Sequence, residues 1–103
     1  MRRFGAKRDA NEAPIVQAVQ LAGWKVWQLS APGLPDLMCV RHGRVVFLEV
    51  KDRPATQKKG RLRPLQVDMA QSLASAGLTV HIVRTPEEAI HALRGPEGVT
   101  PAR

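Results

Sequence analysis

A predicted β-hairpin is the feature that most constrains how this chain can fold. Two runs rich in apolar residues, 36–41 and 44–51, flank the dipeptide His42-Gly43. Glycine accepts the positive φ angles that a two-residue hairpin turn requires, whereas His42 is less suited to them. The pattern therefore predicts two antiparallel strands, joined either by a tight type I′ turn or by a bulged turn at Gly43.

The pairing of this hairpin decides where its charged residues point. With His42 and Gly43 at the centre of the turn, Asp36 lies opposite Glu49. Directly opposite residues on antiparallel strands share a face, and Lys51, two residues after Glu49, points to that face too. A slip of one residue would send the two carboxylates to opposite faces. The tight-turn register predicts an acidic pair beside a lysine.

Two adjacent carboxylates indicate a metal site. They repel each other in apolar surroundings, and hard oxygen ligands select Mg²⁺ or Mn²⁺. We expect Asp36, Glu49 and the backbone carbonyl of Val50 to hold the ion. A metal at this position polarises a phosphate and lowers the pKa of a bound water. Lys51 is then the residue that orients the water and offsets charge in the transition state.

The charge of the chain agrees with a polyanionic partner. The 103 residues carry a net charge of +7, which favours nucleic acid as the partner. Eight of the sixteen Lys and Arg residues lie between positions 41 and 63. A charge run is more often a solvated surface than a binding surface, but this one adjoins the carboxylate pair. The residues expected to contact DNA are Arg53, Lys58, Lys59, Arg61 and Arg63.

The remaining pattern predicts one α/β domain, residues 1–95, followed by a flexible tail, 96–103. The expected order is helix, three strands, helix, strand, helix, with a mixed four-stranded sheet flanked by helices. The apolar run 45–48 indicates a strand that is covered on both faces. The second helix begins at Pro64, where proline costs little. Its predicted buried stripe is Leu65, Met69, Leu73 and Ala76.

The motifs resemble those of a known enzyme family. Pro35-Asp36, a spacer and then Glu49-Val50-Lys51 are similar to the signature of the PD-(D/E)XK nuclease superfamily, and in particular to the small VRR-NUC domains. The resemblance covers roughly residues 12–94 and implies a restriction-endonuclease-like core. It also implies that Glu12 adds a further carboxylate to the metal site and that Gln66 contacts the water or phosphate. Without the motif, both residues would be read as ordinary first-turn helix residues.

The resulting hypothesis is a metal-dependent DNA endonuclease. The resemblance further implies action on branched DNA such as four-way junctions, and assembly as a homodimer. The dimer contact is expected to use Trp24 or Trp27 with the first helix, because tryptophan is enriched in interfaces. Two alternatives remain open: a non-catalytic DNA-binding accessory protein on the same fold, and a sequence-specific restriction-type nuclease. At 103 residues the chain has little room for a separate recognition domain.

The expected location is the cytoplasm of a bacterial or phage-infected cell, with no membrane association. The Arg-rich N-terminus is not followed by an apolar stretch, and no run reaches transmembrane length. The single cysteine, Cys39, cannot form an internal disulfide. It is expected to be a small buried hydrophobic residue.

Overall fold

The predicted hairpin forms the middle of the sheet in the computed structural model, which describes residues 8–95. The φ angles of His42 and Gly43 are +49° and +78°, and Arg41 pairs directly with Arg44. Positive φ at both central residues is the requirement of a type I′ turn. The tight turn is therefore confirmed over the bulged alternative, and the register predicted from it is the observed one.

The described residues contain three α-helices, four strands and a short 3-10 helix, in the predicted α-β-β-β-α-β-α order. The elements are α1 (Glu12–Leu21), β1 (Lys25–Gln28), β2 (Leu37–Arg41), β3 (Arg44–Val50), the 3-10 helix (Lys58–Gly60), α2 (Pro64–Ser75), β4 (Thr79–Val83) and α3 (Pro86–Arg94). Each hairpin strand is one residue shorter than the predicted ranges 36–41 and 44–51, as strand ends commonly are, and α2 begins at Pro64 as predicted. The predicted tail, 96–103, lies outside the described residues.

The sheet is mixed, with the strand order β1-β2-β3-β4. The β1–β2 and β2–β3 pairs are antiparallel, whereas β3 and β4 run parallel. Every residue from Val46 to Val50 is buried. The prediction that this apolar strand is central and covered on both faces is confirmed.

One face of the sheet packs against α1 and α3. Ile15 and Val19 from α1 meet Ala89 and Leu93 from α3 in a single core cluster with the inward-facing strand residues. Cys39 is fully buried there, as predicted, and burial raises the pKa of its thiol to about 12. This core joins α1 and α3 to the inward-facing residues of the sheet.

The opposite face carries Glu49 and is covered beside β4 by α2, where one prediction was wrong. Leu65 is 52% exposed, Ala76 is exposed, and Met69 and Leu73 are only half-buried. The one buried residue of α2 is Gln66. The spacing of the apolar residues predicted that they face the core. Instead, α2 directs Gln66 toward Glu49. The predicted apolar stripe therefore lies at the edge of the sheet, where it is partly exposed.

The two tryptophans separate as expected for residues on opposite faces of a strand. Trp24 is 7% exposed and Trp27 is 49% exposed. Arg44 lies over the Trp24 ring, with 5.3 Å between its guanidinium carbon and the ring centroid. Of the two side chains, only Trp27 has substantial surface to offer a partner.

Candidate active site

The five predicted catalytic residues line one cleft of about 550 Å³ at the end of the hairpin strands. A second cavity of about 560 Å³ lies between β4 and α3, so size alone does not select the site. The hairpin cleft differs in its charged lining. Its residues are Arg8, Asp9, Glu12, Asp36, Glu49, Val50, Lys51, Asp52, Lys58, Lys59, Arg61, Arg63 and Gln66.

The hairpin register brings Asp36 to Glu49. Leu37 pairs with Leu48, so Asp36, the residue before Leu37, lies at the level of Glu49. The Asp36 carboxylate is fixed by the backbone N–H of Val50, which donates to Oδ2 over 2.8 Å. The side chain of Val50 points away from the cleft into the core. Both carboxylates are therefore positioned by backbone pairing.

Glu49 is a buried carboxyl whose ionised form is disfavoured. The residue is 3% exposed, and its pKa is raised to about 7, first by desolvation and then by the neighbouring Asp36 charge. The Lys51 ammonium, 3.5 Å from Oε2, acts in the opposite direction. A nearby cation stabilises the ionised form of such a buried carboxyl and lowers its pKa.

Gln66 links Lys51 to Glu49. Its amide nitrogen donates to Glu49 Oε2 over 2.8 Å. Its amide oxygen accepts from Lys51 Nζ over 3.2 Å and from the Arg63 backbone N–H over 2.8 Å. These three bonds leave the amide little freedom to rotate. Gln66 thus orients both the lysine and the glutamate.

Glu12 reaches the same cleft from the start of α1. It is 2% exposed and accepts a 2.8 Å hydrogen bond from Gln28 Nε2. Desolvation is the largest cause of its raised pKa. Glu12 is therefore buried and hydrogen-bonded at the cleft, and its part in metal binding stays a prediction.

Asn11, at the N-cap position of α1, ties that helix to the sheet. Its side chain makes no hydrogen bond that caps the helix. Its amide nitrogen donates instead to the backbone carbonyls of Lys51 and Arg84, over 3.1 and 2.9 Å. This cross-link sets the position of Glu12 relative to Lys51.

The basic residues after β3 form one wall of the cleft. Lys58, Lys59, Arg61 and Arg63 line it. Arg53 is exposed and lies outside the lining. The loop that carries them is held by Arg84, whose guanidinium donates to the backbone carbonyls of Arg53 and Gly60 over 2.6 and 2.7 Å.

Arg8 and Gln28 contact the carboxylates of the site but were not predicted from the sequence. Arg8 lies four residues before Glu12, but it precedes α1, so the i,i+4 spacing rule for helices does not predict the contact. Its Nη1 is 3.4 Å from both Glu12 and Asp36. Nothing in the local sequence marks Gln28, because its position depends on how β1 packs against α1.

The oxygen atoms at this end of the hairpin strands come from two carboxylates and one backbone carbonyl. Within residues 8–95, no three His, Cys, Asp or Glu side chains are grouped closely enough to hold a metal ion by themselves. Mg²⁺ commonly binds one or two carboxylates and keeps waters or substrate phosphates. Asp36 and Glu49 supply that number, and the Val50 carbonyl is the third oxygen at the same strand end.

Comparisons with known proteins add no assignment. No protein-family model matches the chain, and no curated protein matches it either. Among the described residues, no helix is both long and apolar enough to cross a membrane. The case for function therefore rests on the residues of the cleft.

Proposed function

We propose that the protein is a metal-dependent endonuclease that hydrolyses DNA phosphodiester bonds. The observation that carries this proposal is that Asp36, Glu49 and Lys51 meet in one cleft beside a basic wall. The arrangement is what the resemblance to VRR-NUC domains of the PD-(D/E)XK superfamily implies, and the mixed sheet is compatible with their restriction-endonuclease-like core.

In this proposal, Asp36, Glu49 and the Val50 carbonyl hold a Mg²⁺ or Mn²⁺ ion, with Glu12 close by. A bound divalent ion supplies Lewis acidity toward a phosphate oxygen and lowers the pKa of water. The protein supplies the placement. Val50 N–H fixes Asp36, and Gln66 fixes Glu49, so both carboxylates are positioned before substrate arrives.

Lys51 is the proposed partner of the attacking water and the scissile phosphate. Its ammonium is directed by Gln66 Oε1 and Glu49 Oε2. With Gln66 as its anchor, the lysine would be free to take a phosphate oxygen as a further partner. A positioned cation of this kind stabilises charge that develops during phosphoryl transfer.

The basic wall is the proposed binding surface for the DNA backbone. Lys58, Lys59, Arg61 and Arg63 border the carboxylates, so they can hold phosphates close to the metal ligands. Their contacts are expected to be independent of base sequence. Selectivity for branched DNA, such as four-way junctions, is the part of the proposal that rests on the family resemblance.

The active form is proposed to be a homodimer, since resolving a junction needs two symmetric cuts and a two-fold dimer supplies two sites. Trp24 is buried within its own chain, whereas Trp27 is half exposed. The contact is therefore expected at Trp27 rather than at Trp24.

The deciding experiment is cleavage of linear, flapped and four-way DNA with and without Mg²⁺ or Mn²⁺. We expect metal-dependent cutting that Asp36→Asn, Glu49→Gln or Lys51→Ala each abolishes, while anisotropy shows that DNA binding persists. Glu87→Gln, a charge change in the first turn of α3, is the matched control and should cut normally. Full activity in any of the three variants would refute the catalytic assignment. Binding without cleavage by the unmodified protein on every substrate would favour an accessory role.

A further inference from the structure

Arg8 occupies the space between two of the carboxylates. Its Nη1 lies 3.4 Å from Asp36 Oδ1 and 3.4 Å from Glu12. Its Nη2 donates to the backbone carbonyl of Leu29 over 2.7 Å. One guanidinium thus bridges an acid from α1 and an acid from the start of β2, in the part of the cleft where the carboxylate charges converge.

The arginine makes sense as a counter-ion. Glu12 is almost fully buried and Asp36 adds to the repulsion that it experiences. Ionised carboxyls in such a place need a nearby positive charge. Gln28, the other partner of Glu12, is neutral, so Arg8 is the residue that offsets charge at this end of the cleft.

The contacts to the carboxylates are the weak part of its anchoring. At 3.4 Å they are long for charge-assisted hydrogen bonds, which favour about 2.7–2.9 Å, whereas the contact to Leu29 is short. The buried Nε atom of Arg8 has no hydrogen-bond partner among residues 8–95. Arg8 precedes α1 and is not held by helix hydrogen bonds. Arg8 therefore has an anchor at the Leu29 carbonyl that it can keep when its longer contacts to the carboxylates are broken.

We propose that Arg8 is the resident counter-ion of Glu12 and Asp36, which a divalent cation must displace from them, so that Arg8 sets the metal affinity of the cleft. The inference rests on the proposed metal site. A divalent ion and the guanidinium compete for the same carboxylate oxygens and repel each other. The binding of either one therefore weakens the binding of the other. Arg8 stabilises the metal-free protein and weakens metal binding by the same interaction.

The test is Mn²⁺ binding without DNA, followed by the electron paramagnetic resonance signal of unbound Mn²⁺. Arg8→Gln should lower the Mn²⁺ dissociation constant by roughly three- to thirty-fold, the combined worth of two long ion pairs made by a partly exposed arginine. Arg8→Met, which keeps the apolar stem, should act in the same direction and serves if the glutamine variant folds poorly. If Arg8 only supported the fold, its replacement would not increase the affinity for Mn²⁺.

Arg41→Gln is the matched control. Arg41 also donates to one backbone carbonyl, that of Ala22, over 2.7 Å, but it lies at the hairpin turn, far from the carboxylates. Its variant loses the same charge and should leave Mn²⁺ affinity unchanged. Equal or weaker Mn²⁺ binding by both Arg8 variants would overturn the proposal and leave the nuclease assignment standing. No Mn²⁺ binding by the unmodified protein would overturn both.

Discussion

Replacing Glu49 by glutamine should make the protein more stable at neutral and alkaline pH. Glutamine has nearly the same shape, and its carbonyl oxygen can keep the acceptor role toward Gln66 Nε2 and Lys51 Nζ. Its amide nitrogen can donate a hydrogen bond to Asp36, which replaces the repulsion between the two carboxylates. The substitution therefore removes a buried charge without opening a cavity.

The magnitude follows from the pKa of Glu49. The folded protein raises it from an ordinary 4.5 to about 7. Between these values the folded state binds more protons than the unfolded state, so stability falls as pH rises through this window and levels off above it. At 1.36 kcal/mol per pKa unit, the penalty reaches about 3 kcal/mol. Glutamine carries no such penalty, so the gain in the variant should grow from near zero at pH 4.5 to that size at pH 8.

The assay is urea unfolding between pH 4.5 and pH 8, followed by the fluorescence of the buried Trp24. Glu87→Gln removes an exposed charge and should shift stability by a similar amount at every pH. Adding Mg²⁺ at pH 8 should stabilise the unmodified protein more than the Glu49 variant. A variant that is less stable than the unmodified protein at pH 8, or a difference that does not grow with pH, would refute the reasoning about this carboxyl.

Three further predictions concern the basic wall and the dimer. Changing Lys58, Lys59 and Arg61 to glutamine should weaken binding to all DNA sequences alike. The slope of the logarithm of the binding constant against the logarithm of salt concentration should fall by roughly 0.9 per lost phosphate contact. Anisotropy at several salt concentrations measures this slope, and an unchanged slope would mean that the loop is only a solvated surface. Gly60→Ala should destabilise the fold by about 1–3 kcal/mol, as overpacking does, because a Cβ there overlaps the backbone carbonyl of Pro54; an unchanged urea midpoint would contradict this. Trp27→Ser should halve the sedimentation mass at micromolar concentration, and a monomeric unmodified protein would refute the dimer.

The parts of the site that were predictable are those governed by short-range rules. Strand parity across a two-residue turn is enough to place Asp36 with Glu49, because side chains alternate with a period of two. The same rule places Lys51. Resemblance then directed attention to Glu12 and Gln66, and the structure brings both to the cleft. Their chemical roles remain predictions that only activity can test.

What was missed depends on packing between elements that are distant in sequence. The stripe of α2 was wrong because periodicity identifies an apolar face but not what covers it, and here the helix turns Gln66 inward. The contacts of Asn11 are also long-range, because its amide donates to two carbonyls just after strand ends, 40 and 73 residues away. No local pattern contains that information.

The same long-range contacts compensate the charge of the five acids in the cleft. Its lining has five Asp and Glu residues and six Lys and Arg residues, and the cations do different work by position. Lys51 meets Glu49, Arg8 meets Glu12 and Asp36, and the loop cations lie along the wall. Lys51 and Arg8 compensate the carboxylates, so a metal ion would have to compete with these two cations for the carboxylate oxygens. The loop cations are not paired with these three carboxylates, and a DNA backbone approaching the cleft would meet them first.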